Sequence, residues 1–357
     1  MGLGVSISYN GTVDAELAGA STLEVHERAG EVTRFRARYE IDIGTSDLPV
    51  LSAAKYGAGA AWTITVPSTA PAQCLVKGIV HAQRVHFEAG GDGSYVEVIG
   101  GDTSIALDRD AKSMQWDNAS DSDVVGRILR AANYTPDTDS TDATHEHKKH
   151  TLIQRESDLA FVRRLARRNG FLFWVTADAT TGLETAHFKR PPVGTSTGTK
   201  LTINQKTASS LRSLDLRWDV ERPTSTSAHQ LDLNTKQGLD GSVSNAQSPL
   251  SALASTPLSQ IVTDARSIFL SAPVDVQSEL TARSQAALID AAWFVRASCE
   301  TELASVGALV RPCTVVELVG AGKRHSGKYF VAGVRHTINP ANHRMDIELV
   351  RNAWEST

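Results

Sequence analysis

The chain has 357 residues, 41% hydrophobic and 21% charged, with a formal net charge of −4. These are ordinary values for a soluble chain long enough for two or three units with real cores. So mild a charge argues against a dedicated nucleic-acid binder, which carries a strong basic excess.

Cys74, Cys299 and Cys313 lie far apart and form no C-x-x-C pair. That argues against a disulfide framework and a structural zinc site, and fits assembly in a reducing cytoplasm. The first residues lack the basic-then-apolar pattern of a signal peptide. No window approaches ~18 unbroken apolar residues, so no helical membrane insertion is expected.

Residues 23–28, 33–42, 62–66 and 76–87 alternate apolar and polar side chains, rich in β-branched and aromatic types. That period predicts half-buried strands. Gly90, Gly91 and Gly93 predict a hairpin turn into a further strand at 94–100, because glycine supplies the positive φ of a tight connection. No helical pattern interrupts, so residues 1–110 read as a small antiparallel barrel or sandwich.

At 120–133, cap candidates precede Val124, Val125, Ile128, Leu129 and Ala132, an apolar stripe on a helix. A polar, His- and Asp-rich loop follows at 135–148. A short strand leads into a helix at 156–169, and a hairpin after Gly170 completes an α+β unit over 111–200. Residues 191–200 read as a linker and 210–220 as a strand. The Ser/Thr/Asn-rich stretch 222–258 reads as a surface insertion or a region ordered only by its neighbours. Leu258, Ile261, Val262, Ala265, Ile268 and Phe269 show helical spacing, and a stronger helix covers 277–293. Strands at 295–303, 314–319, 328–337 and 344–351 follow. The expected fold class is β-rich α+β: an antiparallel barrel over 1–110, the α+β domain over 111–200, a second barrel from 201–235 and 294–351, and an insertion with helices over 236–293.

The segment 149–174 repays a physical reading. Asp158 falls in the first turn of its helix, and Arg163, Arg164, Arg167 and Arg168 in the last turns, as the helix dipole favours. Gly170 suits a left-handed stop. Leu159, Phe161, Val162, Leu165 and Ala166 form a stripe that must be buried, with the strand after Gly170 as the expected partner.

Gln154, Glu156, Ser157, Asp158, Phe161, Arg164, Leu165 and Gly170 also resemble the pattern Q-x-E-S-D-x-x-F-x-x-R-L, then Gly and an aromatic strand. That pattern marks baseplate hub proteins of contractile injection systems: phage tail hubs of the late-control D type and the hub region of type VI secretion VgrG. A second resemblance starts at Arg311 and Pro312, where Cys313 replaces the usual glycine. It continues through Gly327, Tyr329 and His336 to the last strand. The resemblance implies two tube-like barrels per subunit and a homotrimer. The trimer would be a symmetry adaptor between a sixfold tail tube above and a threefold spike below, beside other baseplate proteins. DNA or cargo would pass through its lumen without specific binding. The implied location is a virion tail baseplate or an injection particle, assembled in the bacterial cytoplasm. The chain stops after the hub's last strand, so a spike on a separate polypeptide is expected.

Chemical readings weigh less. His145, Glu146, His147 and His150 lack the H-E-x-x-H spacing, and a solvated loop is expected rather than a metal site. His336 reads as a satisfied barrel histidine, and the arginine run as a solvated helix face. No nucleophile elbow, Walker or dinucleotide motif occurs, and pairs such as Asp121/Asp123 are too common to signal a glycosidase. The expectation is a structural protein, not an enzyme, with no catalytic residue, cofactor or metal. The alternatives are a VgrG-like secretion component with its spike in trans and a peptidoglycan hydrolase working through carboxylates of 111–200.

Overall fold

Alternating side chains build most of the strand residues into a single sheet. The computed structural model describes residues 3–355 apart from 43–47, 68, 70, 148–150, 206–208, 233–234, 245–247, 263, 265, 273 and 275. Its largest sheet runs in the order Leu211–Trp218, Val295–Glu302, His343–Arg351, Gly327–Ile338, Thr22–Arg28, Arg34–Glu40, Tyr95–Asp102, Gln73–His86, Ala61–Val66, Ser6–Tyr9 and Thr12–Val13. Val315–Val319 branches from Gly327–Ile338 and pairs in parallel with Ser196–Thr202. The fold is the β-rich α+β class that the periodicities predict.

The early and late strands meet in an antiparallel seam, from Leu23 opposite Ile338 to Arg28 opposite Gly333. Leu23, Val25, Val334 and Ile338 turn inward there. One apolar core continues beneath both β units, from Phe35 and Trp62 on one side to Phe294, Tyr329 and Leu349 on the other. The glycine turn is where the sequence places it: Gly90, Gly91 and Gly93 have φ of +95°, +96° and +90°.

Between these strands sits the smaller unit. Helix α1 (Asp121–Ala131) starts with a capping box, in which Ser120 Oγ accepts from Asp123 N and Asp123 accepts from Ser120 N. Helix α2 (Asp158–Asn169) is capped by Ser157 and stopped by Gly170 at φ +67°; each such cap stabilises by about 1 kcal/mol. The stripes of both helices, with Phe171, Phe173 and Phe188, form a second core. Phe171 and Phe173 supply the burial expected of the strand after Gly170.

Three elements differ from expectation. Residues 196–200 of the supposed linker belong to the strand Ser196–Thr202 of the large sheet. Helical spacing over 258–269 yields only the turn Leu258–Ile261, followed by the strand Ser267–Phe269; Ala265 lies outside the described residues. Ser267–Phe269 pairs with Ser225–Ser227, and that backbone pairing wins over a weak local period. Pairing also ties Ser225–Ser227 to the insertion rather than to the second β unit. Helix α3 (Gln277–Ala292) packs against α2, with Ile289 and Ala286 close to Gly170. Among the described residues no helix is long and apolar enough to cross a membrane.

Candidate functional site: the seam between the β units

Strand Thr22–Arg28 presents Leu23, Val25 and Glu27 to the core and Glu24, His26 and Arg28 outward. Glu27 is therefore a carboxylate in an apolar phase, and only 6% of it is exposed. Such a group must be paired, since an unpaired buried charge costs several kcal/mol. Arg311 supplies the partner, its Nε donating to Glu27 Oε1 at 2.8 Å. The same guanidinium donates to the carbonyls of Cys74, at 2.6 Å, and Leu75, at 3.1 Å. His336, fully buried on the facing strand, lies 3.0 Å from Glu27 Oε2 through Nε2 and 3.0 Å from His343 through Nδ1. Burial pushes the Glu27 carboxyl up, but Arg311 and His336 outweigh it and hold the group below its ordinary range. Burial and the neighbouring His336 push His343 down to about 3.

The residues of the C-terminal resemblance fall into two groups along the strand Gly327–Ile338, one at Glu27 and one at Arg351. Arg311 grips the first β unit. Pro312 and Cys313 make the turn that enters Val315–Val319, with Cys313 in the left-handed region at φ +60°. Gly327 sits against the guanidinium of Arg351. Tyr329, fully buried, donates to the carbonyl of His325 at 2.8 Å and lies under Arg351. Arg351 is itself fully buried and donates to the carbonyl of Ser326 at 3.1 Å.

The residues of the N-terminal pattern form a separate cluster in the small unit. Gln154 is fully buried: its amide donates to Asp158 Oδ1 at 2.8 Å and accepts from Trp116 Nε1 at 3.2 Å. Ser157 donates to Asp108, and Lys112 pairs with Asp158. Glu156 holds Arg164 Nε at 2.6 Å, and the Arg164 guanidinium lies over the Phe161 ring. Leu165 is core. The contacts of Gln154 and Lys112 with Asp158, and of Glu156 with Arg164, tie the ribbon Ala111–Trp116/Leu152–Ser157 to α2.

Two sequence readings need correction. His145 is not solvated: it is 3% exposed and pairs with the buried Asp121 at 2.8 Å. His147 does lie exposed, 3.0 Å from Asp117, and 148–150 fall outside the described residues. The arginine run is not a free face either. Arg168 reaches inward to Asp121, Arg163 donates to the carbonyl of Gly30 at 3.0 Å, and Arg164 is held by Glu156. Burial pushes Asp121 up, but His145, Arg168 and Asn169 together hold it well below the carboxylate range. Arg168 also faces the buried Glu279 of α3 at 3.6 Å.

Glu27, Glu279 and Arg351 escaped the sequence reading, and Asp121 entered it only as one of a common acidic pair. For Glu27 and Arg351 the signal was present: each is charged at an inward position of an alternating strand. Among the described residues no group of three or more His, Cys, Asp or Glu side chains is arranged to hold a metal. All three cysteines are buried, and burial pushes Cys74 up to about 11 and Cys299 up to about 12.

Outside the core, the outward phase of the large sheet is strongly charged. It curves into an open hollow of about 720 Å³ that spans both β units, between Arg34 and Arg335 on one side and Asp215 and Glu300 on the other.

Comparison with known proteins gives the same architecture. The 43 kDa tail protein of prophage MuSo2 from Shewanella oneidensis is similar at TM-score 0.66 and 14% identity, over 98% of this chain and 98% of that one. A tail protein from Neisseria meningitidis MC58 is similar at TM-score 0.66 and 13% identity, over 99% and 98%. The E. coli c3393 protein is described as a type VI secretion component with structural similarity to the T4 tail proteins gp27 and gp5. It is similar at TM-score 0.60 and 14% identity, over 97% of this chain and 76% of that one. At these identities the likeness is one of fold. No curated protein matches in sequence. A family model described as the Alg8 N-terminal domain matches residues 3–340.

Proposed function

The chain belongs to the Alg8 N-terminal domain family, and we propose that it is the structural hub of a contractile phage tail or phage-tail-like injection machine. In this reading it is a protein of the late-control D type that works without chemistry of its own. Three copies form a ring that takes a sixfold tail tube above and a threefold spike below, and leaves a central channel. Its place is the baseplate of a virion tail or injection particle.

The observation that carries the reading is the seam. It fuses two β units into one sheet with one core, so a ring of three copies would offer six such units to a sixfold partner. The fold shared with tail proteins over nearly the whole chain supports it. Among the carboxylates of 111–200 that the hydrolase reading would draw on, Asp121 is held by Arg168, Glu156 by Arg164 and Asp158 by Lys112. A VgrG-like secretion role with the spike in trans draws on the fold shared with the type VI component; the proteins that co-purify with the assembled particle decide between the two machines.

The test is assembly. Co-expressed with its tube and spike proteins, the chain should appear by native mass spectrometry and electron microscopy as a threefold ring between them. A chain that stays monomeric with both partners present sinks the proposal. A peptidoglycan zymogram band abolished by one acidic substitution would replace it with the hydrolase reading.

A further inference from the structure

Helix α3 does not close completely on the small unit. Between them lies a cleft of about 350 Å³, within the ~300–1,000 Å³ range of ligand sites. Arg190 lines it from just past the strand Glu184–Lys189. Its guanidinium lies over the ring of the buried Phe171, 5.4 Å from the centroid. Its Nε is buried without an acceptor, and among the described residues the guanidinium pairs with no carboxylate. The arginines of α2 differ in this, since Arg164 is held by Glu156 and Arg168 by Asp121.

The opposite wall is one stripe of α3. Ser278, Thr281 and Gln285 line the cleft at spacings of three and four residues, so they share a helix face. Among the described residues their side chains have no hydrogen-bond partner. The lining holds a single acid among the described residues, the exposed Asp142.

The two walls ask for different groups. Arginine offers a planar fork of N–H donors that fits carboxylate or phosphate oxygens. A fork already packed on a ring loses little freedom when it takes them. Hydroxyl and carboxamide side chains both donate and accept, which matches the hydroxyls of a sugar.

We propose that this cleft binds a hydroxylated oxyanion, a sugar acid or sugar phosphate, with the anionic group on Arg190 and the hydroxyls on Ser278, Thr281 and Gln285. Arg190 belongs to the small unit and the polar stripe to the insertion, so the site is whole only while α3 is docked. By linkage, the ligand stabilises that docking. Both walls come from one chain, so the site exists with or without the ring.

The test is calorimetric titration of the full chain at constant ionic strength, with glucuronate, glucose 6-phosphate and glucose as probes. At least one anion should saturate the native chain with a Kd of ~1 mM or below, and glucose should bind about tenfold more weakly or not at all. Saturation by glucuronate alone identifies a sugar acid, by glucose 6-phosphate alone a sugar phosphate, and by both their shared charge. R190M should weaken binding about tenfold and Q285L, on the other wall, about threefold. R155M alters an exposed arginine outside the cleft and should bind as the native chain does. The bound anion should also slow hydrogen exchange in α3 of the native chain but not of R190M. Should R190M fail to fold, Q285L decides alone. Saturation by neither anion overturns the proposal, as does glucose binding as tightly as the anions. Unchanged affinity in either folded cleft variant, an equal loss in R155M, or binding that leaves α3 exchange unchanged overturns it too. The assembly experiment reads the ring and these titrations read the cleft, so a failure of one is told apart from a failure of the other.

Discussion

Cys313 stands in the left-handed region, at φ +60°, where the resembling motif carries glycine. Relief of a left-handed penalty of ~1–2 kcal/mol should roughly offset the packing lost from its buried side chain. Cys313→Gly is therefore expected to change unfolding free energy by less than ~1 kcal/mol, while Cys313→Val, β-branched at positive φ, should cost ~2 kcal/mol or more; urea titration checks both. At the seam, Glu27→Gln leaves the partly buried Arg311 without its counter-charge and should cost ~1–3 kcal/mol. Adding Arg311→Met should recover part of that loss, which a double-mutant cycle reads directly. His343 sets the acid limb. Its folded value, about 3, lies below the unfolded value near ~6.5, so between the two the unfolded chain holds the extra proton. Stability is thus complete above ~6.5 and falls with pH towards 3, by up to ~1.4 kcal/mol per unit. Glu27 and Asp121, both depressed, add a loss that begins only near their unfolded values around ~4. His343→Gln should flatten the melting temperature between pH 4.5 and 6.5, and an unchanged slope would contradict this account.

Helix α2 shows how elements meet. Gly170 ends it at φ +67°, and a Cβ there would come within 2.8 Å of Ile289 Cδ1 and 3.0 Å of Ala286 Cα on α3. Gly170→Ala therefore meets both backbone strain and a clash, and is expected to cost ~2–4 kcal/mol. Hydrogen exchange should show α3 deprotected before the large sheet; protection lost equally everywhere would argue against α3 as a separately docked element. Much of α2 was legible in the sequence, because its caps, charges and stripe are local signals. The long strands were legible through alternation. The insertion was not. Its strands Ser225–Ser227, Val243–Ser244 and Ser267–Phe269 offer too few positions to display a period and hold their shape by pairing with one another. Nor could local pattern choose the partner of Thr22–Arg28. The same strand did carry a readable clue, since Glu27 sits in phase with Leu23 and Val25, as His336 does with Val334 and Ile338. A charge in such a phase asks for a distant counter-charge. The sequence does not say that it is Arg311.

Across the whole molecule, one sheet and one core make the two β units interdependent. Residues 1–110 expressed alone should lose the pairing of Thr22–Arg28 and leave Glu27 without Arg311 and His336. They are expected to elute as aggregates in size-exclusion chromatography; a stable monomer with native-like dispersed NMR signals would show the seam to be dispensable. The separation of the seam partners also sets a timetable. Glu27 and His336 stand 309 residues apart, and Glu24 and Arg335 stand 311 apart. A ribosome adding ~5–20 residues per second needs about 15–60 s to cross that interval. Throughout it the newborn N-terminal strands carry a bare hydrogen-bonding edge and an uncompensated acid, the kind of edge that recruits foreign strands. The period of greatest risk for this chain is therefore its own synthesis, and a chaperone that shields one strand edge for under a minute would protect it best.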